Sequence, residues 1–114
     1  MIAIIGKMLR EAGVYWAPAG RDQFGRPVFA DPVQVRCRWE DKSEEYIDPQ
    51  GDTCKSSARI FVDQDVERGG MLMLGSLNNV NLLVAPAANG ALEIKSFTKS
   101  TNLNRTQFLR MVLV

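Results

Sequence analysis

Val33-Gln34-Val35-Arg36-Cys37-Arg38-Trp39-Glu40 alternates apolar and polar residues without a break. A period of two puts Val33, Val35, Cys37 and Trp39 on one side of an extended chain, whereas a helix would scatter them around its circumference. This is a strand with one buried face. A second arm follows, with Ala58, Ile60 and Val62 on one face, Arg59 and Asp63 on the other, and Phe61 as a large apolar exception on the polar side. Between the arms lie the sixteen residues Asp41 to Ser56, where a compact hairpin needs only about two to five. Within them, Asp48-Pro49-Gln50-Gly51 places Pro where its fixed φ helps a turn and Gly where a positive φ is needed. The segment reads as a projecting, partly folded arm. Two extended limbs of about eight residues would reach roughly 25 Å.

Working outward, Met1 to Ala12 is apolar at Ile2, Ile5, Leu9 and Ala12 and stops at Gly13. That spacing predicts a short helix or arm over 1–13, with a strand over Ile2 to Ile5 left open. No charged leading region or cleavage site marks a signal peptide, and the stretch is too short to span a bilayer. Val14-Tyr15-Trp16 is β-prone, the Pro18 to Gly20 region stops it, and Asp22 to Pro27 is rich in turn formers. Val28-Phe29 forms a brief pairing before Asp31-Pro32 launches the long strand. Met71-Leu72-Met73-Leu74, bracketed by Gly69, Gly70 and Gly75, suits a buried strand. Asn78 to Gly90 is irregular. Leu92 and Ile94 alternate against Glu93 and Lys95, and with Phe108 to Val114 they read as the two sides of a last hairpin around a polar link at Ser100 to Thr106.

Six or seven short strands in a single domain spanning 1–114 predict a mainly β fold, a small barrel or sandwich. The 114 residues, 46% of them hydrophobic, suffice for one core. A net charge of +1, from 14 basic and 13 acidic residues, supplies no broad field for nucleic acid or an anionic membrane. The chain has no histidine, the commonest general base at neutral pH, and it shows no glycine-rich phosphate loop or activated nucleophile. The expectation is no enzyme, no cofactor and no metal. Cys37 and Cys54 without histidine do not complete a tetrahedral zinc site, so both are expected as free thiols. Trp16 and Trp39 follow apolar alternation and are assigned to the core.

Val14-Tyr15-Trp16, the Asp22 to Pro27 loop, Phe29-Ala30-Asp31-Pro32-Val33, Cys37-Arg38-Trp39-Glu40-Asp41, Asp48-Pro49-Gln50-Gly51 and Gly69-Gly70-Met71-Leu72-Met73-Leu74-Gly75 together, in that order and spacing, resemble the head-tail joining proteins of tailed bacteriophages, also called stopper or head-closure proteins. The likeness runs from about Val14 to the end. It implies a β-barrel-like subunit, assembled in the host cytoplasm into the virion neck as a sixfold or twelvefold ring of identical copies. The portal or an adaptor would sit above and a tail-completion or tail-tube protein below, with double-stranded DNA passing through the lumen unread. It further implies that the long inter-strand loop faces the channel and gates it.

The arm and its root carry Glu40, Asp41, Glu44, Glu45, Asp48 and Asp52 against Lys42 and Lys55. Facing a lumen, this acidic excess would repel phosphates and let DNA slide. Tyr46 and Ile47 are expected as contacts between copies at a closed constriction. Arg36, Arg38 and Arg59, with Ile2 and Ile5, are the expected subunit-interface residues, the arginines also being placed to pair with Glu40 or Asp63 across strands. The alternatives are another neck component, such as an adaptor or tail-completion protein, and a small nucleic-acid-binding barrel using Arg59 and Phe61.

Overall fold

The computed structural model describes residues 9–101 and 108–114. Its strands are β1 (Glu11–Trp16), β2 (Pro18–Arg21), β3 (Pro27–Phe29), β4 (Val33–Glu40), β5 (Glu45–Ile47), β6 (Thr53–Lys55), β7 (Arg59–Val62), β8 (Met71–Leu74), β9 (Leu92–Glu93), β10 (Ser96–Thr101) and β11 (Phe108–Leu113). Seven of them form one antiparallel sheet in the order β10-β11-β7-β4-β1-β8-β9, while β2–β3 and β5–β6 stand as separate hairpins. The fold is mainly β, and the large sheet curls into a half-barrel.

The chain's own connectivity imposes the curl. Strands β9 and β10 occupy opposite edges of the sheet yet are joined by Ile94 and Lys95 alone. Seven strands laid flat would set those edges about 29 Å apart at about 4.8 Å per gap, and three residue steps cover at most about 11 Å. The sheet therefore rolls until its edges nearly meet. At the seam Ile94 N–H donates to Gly70 O, Gly69 N–H donates to Ile94 O, and Lys95 N–H donates to Leu113 O. The stretch 92–101 is in effect one bent strand that serves both edges.

Rolling gives the sheet an inside. Tyr15, Val35, Cys37, Ile60, Val62, Leu72, Ile94, Val112 and Val114 fill it, with Trp39 and Phe97 packed at its margin. Val66, from the loop after β7, adds to the same cluster. Tyr15 anchors that loop by accepting the Glu67 N–H at 2.8 Å. The outer face of β1 and β8 is also covered, since Val14, Trp16 and Met71 pack with Ala91, Phe29, Leu77 and Val80. That is why Val14-Tyr15-Trp16 is buried throughout rather than alternately.

Several expectations are corrected. Glu11 and Ala12 belong to a strand, not to a helix, and Gly13 sits in mid-strand. Glycine is favoured there because a Cβ would lie a tight 3.1 Å from both Cys37 Sγ and Met73 O. Pro18 to Gly20 continues as β2 and pairs with β3. The last hairpin runs from Ser96, paired with Leu113, to Thr101, paired with Phe108; Leu92-Glu93 pairs instead with β8. Met71 and Leu72 are buried, but Leu74 is exposed, and so is Val33 at the start of β4. Asn78 to Gly90 holds two short 3-10 turns, Leu77–Asn79 and Pro86–Asn89. Ile2 and Ile5 lie outside the described residues.

Cys37 and Cys54 are free thiols, and Cys37 is wholly buried. Burial, with the charges of Glu11 and Asp63, pushes its pKa up to about 12. A thiol reagent added to the native protein should modify Cys54 and reach Cys37 only after unfolding; two fast-reacting native thiols would contradict this core. Ile94 is fully buried at the seam, so Ile94→Ala should cost about 2–5 kcal/mol in denaturant unfolding. A loss under about 1 kcal/mol would mean that the seam is not closed by packing.

Candidate functional site

The segment between the long strands folds as the β5–β6 hairpin, with Glu45, Tyr46 and Ile47 opposite Lys55, Cys54 and Thr53. It is a two-stranded sheet of its own, hydrogen-bonded to no strand of the half-barrel among the described residues. The paired limbs are shorter than expected. From Glu44 to Asp48 the chain covers about 13 Å at about 3.3 Å per residue, roughly half of the predicted reach.

Asp48 builds the tip. Its Oδ1 accepts the N–H groups of Gln50 at 3.0 Å and Asp52 at 2.8 Å, its own N–H donates to Asp52 O, and its carbonyl accepts from Gly51. Gly51 supplies the positive φ of 88° that the reversal needs. The Cys54 thiol donates to Asp48 Oδ2 at 3.5 Å. An Asp before Pro-X-Gly is the sequence signature of such a side-chain-to-backbone turn, so this carboxylate organises the fold more than it charges the surface.

The root is held by Arg59. Its Nη1 donates to Glu44 Oε1 and its Nη2 reaches Glu40 Oε2 at 3.0 Å. Glu40 stands directly across from Arg59 in the β4–β7 register. The hydrogen bond and charge of Arg59 lower the Glu40 pKa, helped by Arg38 and Lys42. Ser56 Oγ accepts the Glu44 N–H at 3.1 Å, and Ser56 N–H donates to Glu44 O at 2.8 Å. The guanidinium lies over Phe61 at 5.4 Å. The ring is itself buried, which explains the apolar exception on the polar face and leaves no open ring for a base to stack on.

The remaining expected residues divide between two faces. Tyr46, Asp48 and Cys54 are half-buried, whereas Glu45, Ile47, Thr53 and Lys55 are exposed, so Tyr46 and Ile47 point opposite ways. Burial raises the pKa of both Tyr46 and Cys54. Ile47 is 65% exposed, an apolar side chain left in water beside the tip. Asp41 accepts from Trp39 Nε1 at 3.2 Å, and Asp52 is exposed. Arg36 is engaged elsewhere, donating from Nε to Leu9 O at 3.2 Å, while Arg38 is exposed on the outer face of β4. Arg59 belongs to the hairpin root, paired with Glu40 and Glu44. The expected acidic excess is reduced by one charge, because Arg59 sets a single cation against Glu40 and Glu44 together. Sequence reasoning named Cys54 only as a free thiol and passed over Ser56; the Asp48-Pro49-Gln50-Gly51 signal, extended outward by pairing, places both in the hairpin.

The linkage has a definite sign. Glu40 is depressed below its ordinary 4.5, so its bond to Arg59 stabilises the root above that pH and is lost as pH falls through the folded value. Amide hydrogen exchange in residues 44–56 should accelerate in acid relative to the β1–β4 amides, after correction for intrinsic rates. Arg59→Met should abolish the differential, and an unchanged pH profile in that variant would show that the root does not depend on the ion pairs. No family model, curated protein or solved structure matches the chain.

Proposed function

We propose that the chain is a structural subunit of the neck of a tailed-phage virion, one copy of a ring between the portal or adaptor and the tail, with the β5–β6 hairpin directed at the DNA channel. The observation that carries this reading is the hairpin itself: a self-contained two-stranded arm, pinned at its root by Arg59, presenting an exposed isoleucine beside its tip. Such an arm does nothing for the core of its own subunit. In a ring, copies of Ile47 would converge on the axis and bury one another, forming an apolar constriction that hydrated DNA crosses poorly. The order and spacing of the sequence motifs support the same assignment.

The rest of the chemistry fits a conduit better than a reader of DNA. The net charge is +1, and counterion release from phosphates would hold a duplex only where cations cluster. Glu45 and Asp52 remain exposed on the hairpin. Among the other neck components, an adaptor is the weaker reading because such proteins are helical, while the described residues of this chain contain only two 3-10 turns. A nucleic-acid-binding barrel loses its best surface with the burial of Phe61.

Particles assembled with Tyr46→Ser and Ile47→Ser together should fill normally and then lose DNA before tail attachment, measured as genome released from tailless heads. Ile47→Ser alone should account for most of that loss, since Tyr46 faces inward. Retention equal to that of the parent would remove the hairpin from any gating role.

A further inference from the structure

On the outer face, at the end of the half-barrel where β1 finishes and β4 begins, two adjoining depressions of about 230 and 480 Å³ share Asp31, Pro32 and Leu82. Phe29, Leu77 and Val80 complete the apolar walls. Beside them Leu83 is 94% exposed and Leu82 72%. These leucines are held in water by a preformed turn: Asn81 Oδ1 accepts the Leu83 N–H at 2.9 Å, and Asn89 exchanges hydrogen bonds with the Asn81 backbone at 2.8 and 3.1 Å. Asn78 and Asn81 add amides to the lining, and a hydrogen-bonded turn that displays leucines beside such a groove is a preorganised binding surface. Its charge is equally specific. The Asp31 carboxylate makes no ion pair or hydrogen bond among the described residues, so an occupant that brings one cation to an otherwise apolar segment is favoured.

The chain supplies such a segment. Met1 to Met8 contains Ile2, Ala3, Ile4 and Ile5, and its single charged side chain is Lys7. Its own groove is badly placed for it. Leu9 is buried with its carbonyl bound by Arg36, and Arg36 stands opposite Ala12, four residues before Trp16 at the groove. Those four residues span about 13 Å, whereas the two from Lys7 to Leu9 reach at most about 7 Å when fully stretched, so the Lys7 backbone stops well short of the groove that Trp16 and Asp31 line. The direct path over the outer face of β1 is filled by Leu77 and Val80. A neighbouring copy meets neither obstacle.

We propose that the N-terminal segment Met1–Met8 of one copy docks in the Asp31–Pro32–Leu82 groove of the next, with Lys7 facing Asp31. Groove and arm lie at different places on the subunit, so the contact is head-to-tail, the kind that closes rings or extends filaments. This deepens the ring reading and rests on it for its biological setting.

The test uses the full chain with Cys54→Ser, leaving only the buried Cys37. Adding Ile4→Cys and Leu82→Cys and oxidising mildly should give a ladder of disulfide-linked oligomers on a non-reducing gel, and mixing the two single variants should give dimers. Asp31→Lys should reduce the ladder several-fold, and Lys7→Glu in that background should restore it, with circular dichroism checking that each variant keeps its β signal. A purely intramolecular product, no cross-link, or a yield indifferent to both charge changes would overturn the proposal. The two readings fail separately. Loss of the ladder while DNA retention still depends on Ile47 removes only the arm exchange; a charge-dependent ladder with retention indifferent to the hairpin upholds the exchange and removes the gate.

Discussion

The two-residue link between the opposite edges of the sheet is the constraint on which the structure depends. Because Ile94 and Lys95 must carry the chain from β9 to β10, the sheet cannot lie flat, and an inner face exists for Val35, Cys37, Ile60 and Val112 to fill. The curl does not remove the edges: β10 pairs only with β11 among the described residues, so its other side stays unpaired at the rim of the half-barrel. The groove beside Asp31 and the β5–β6 hairpin both arise from insertions between strands that are neighbours in the sheet.

Position follows from order. Strands β4 and β7 pair side by side in the middle of the sheet, and the hairpin grows from their shared end, while β2–β3 grows from between β1 and β4. An isolated two-stranded hairpin is marginal in water, so its shape depends on local reinforcement: Asp48 at the tip, Ser56 and Arg59 at the root. The Arg59 Nε is buried without a partner, a cost accepted where the guanidinium is stretched between two carboxylates and an aromatic ring.

Where local pattern carried the information, the sequence was legible. The β4 alternation, the β7 face and the turn at Asp48 to Gly51 all follow from periods and spacings, while the choice of Arg59 as the partner of Glu40, among three arginines and two carboxylates, stays open. Misreadings occurred where a distant partner decides. Ile5, Leu9 and Ala12 match a helical period, yet β4 and β8 claim Glu11 to Trp16, and the glycine that looked like a helix stop is there so that Cys37 and Met73 can approach the backbone. Leu92 to Lys95 looked like half of a hairpin because no local signal reveals a strand whose two halves pair with different neighbours. In the site, the hairpin was foreseen as an arm, but its carboxylates were counted as surface charge. Their real tasks depend on an arginine 15 and 19 residues away, which composition does not disclose.

That reassignment changes what the arm is able to do. Arg59 offsets only one of the charges on Glu40 and Glu44, and Asp48 keeps its charge within its turn, so six carboxylates of the arm and root stand against Lys42, Lys55 and Arg59; the first Debye length of about 8 Å at physiological salt screens most of that field. Repulsion of phosphates therefore acts only at short range. The arm also has shape: an apolar side chain held at a fixed height by a pinned hairpin, exposed in the single subunit and buried only in the proposed ring. A gate of this kind would respond to rearrangement of the ring far more than to ionic strength, because the contact it breaks is hydrophobic burial, which salt does not screen.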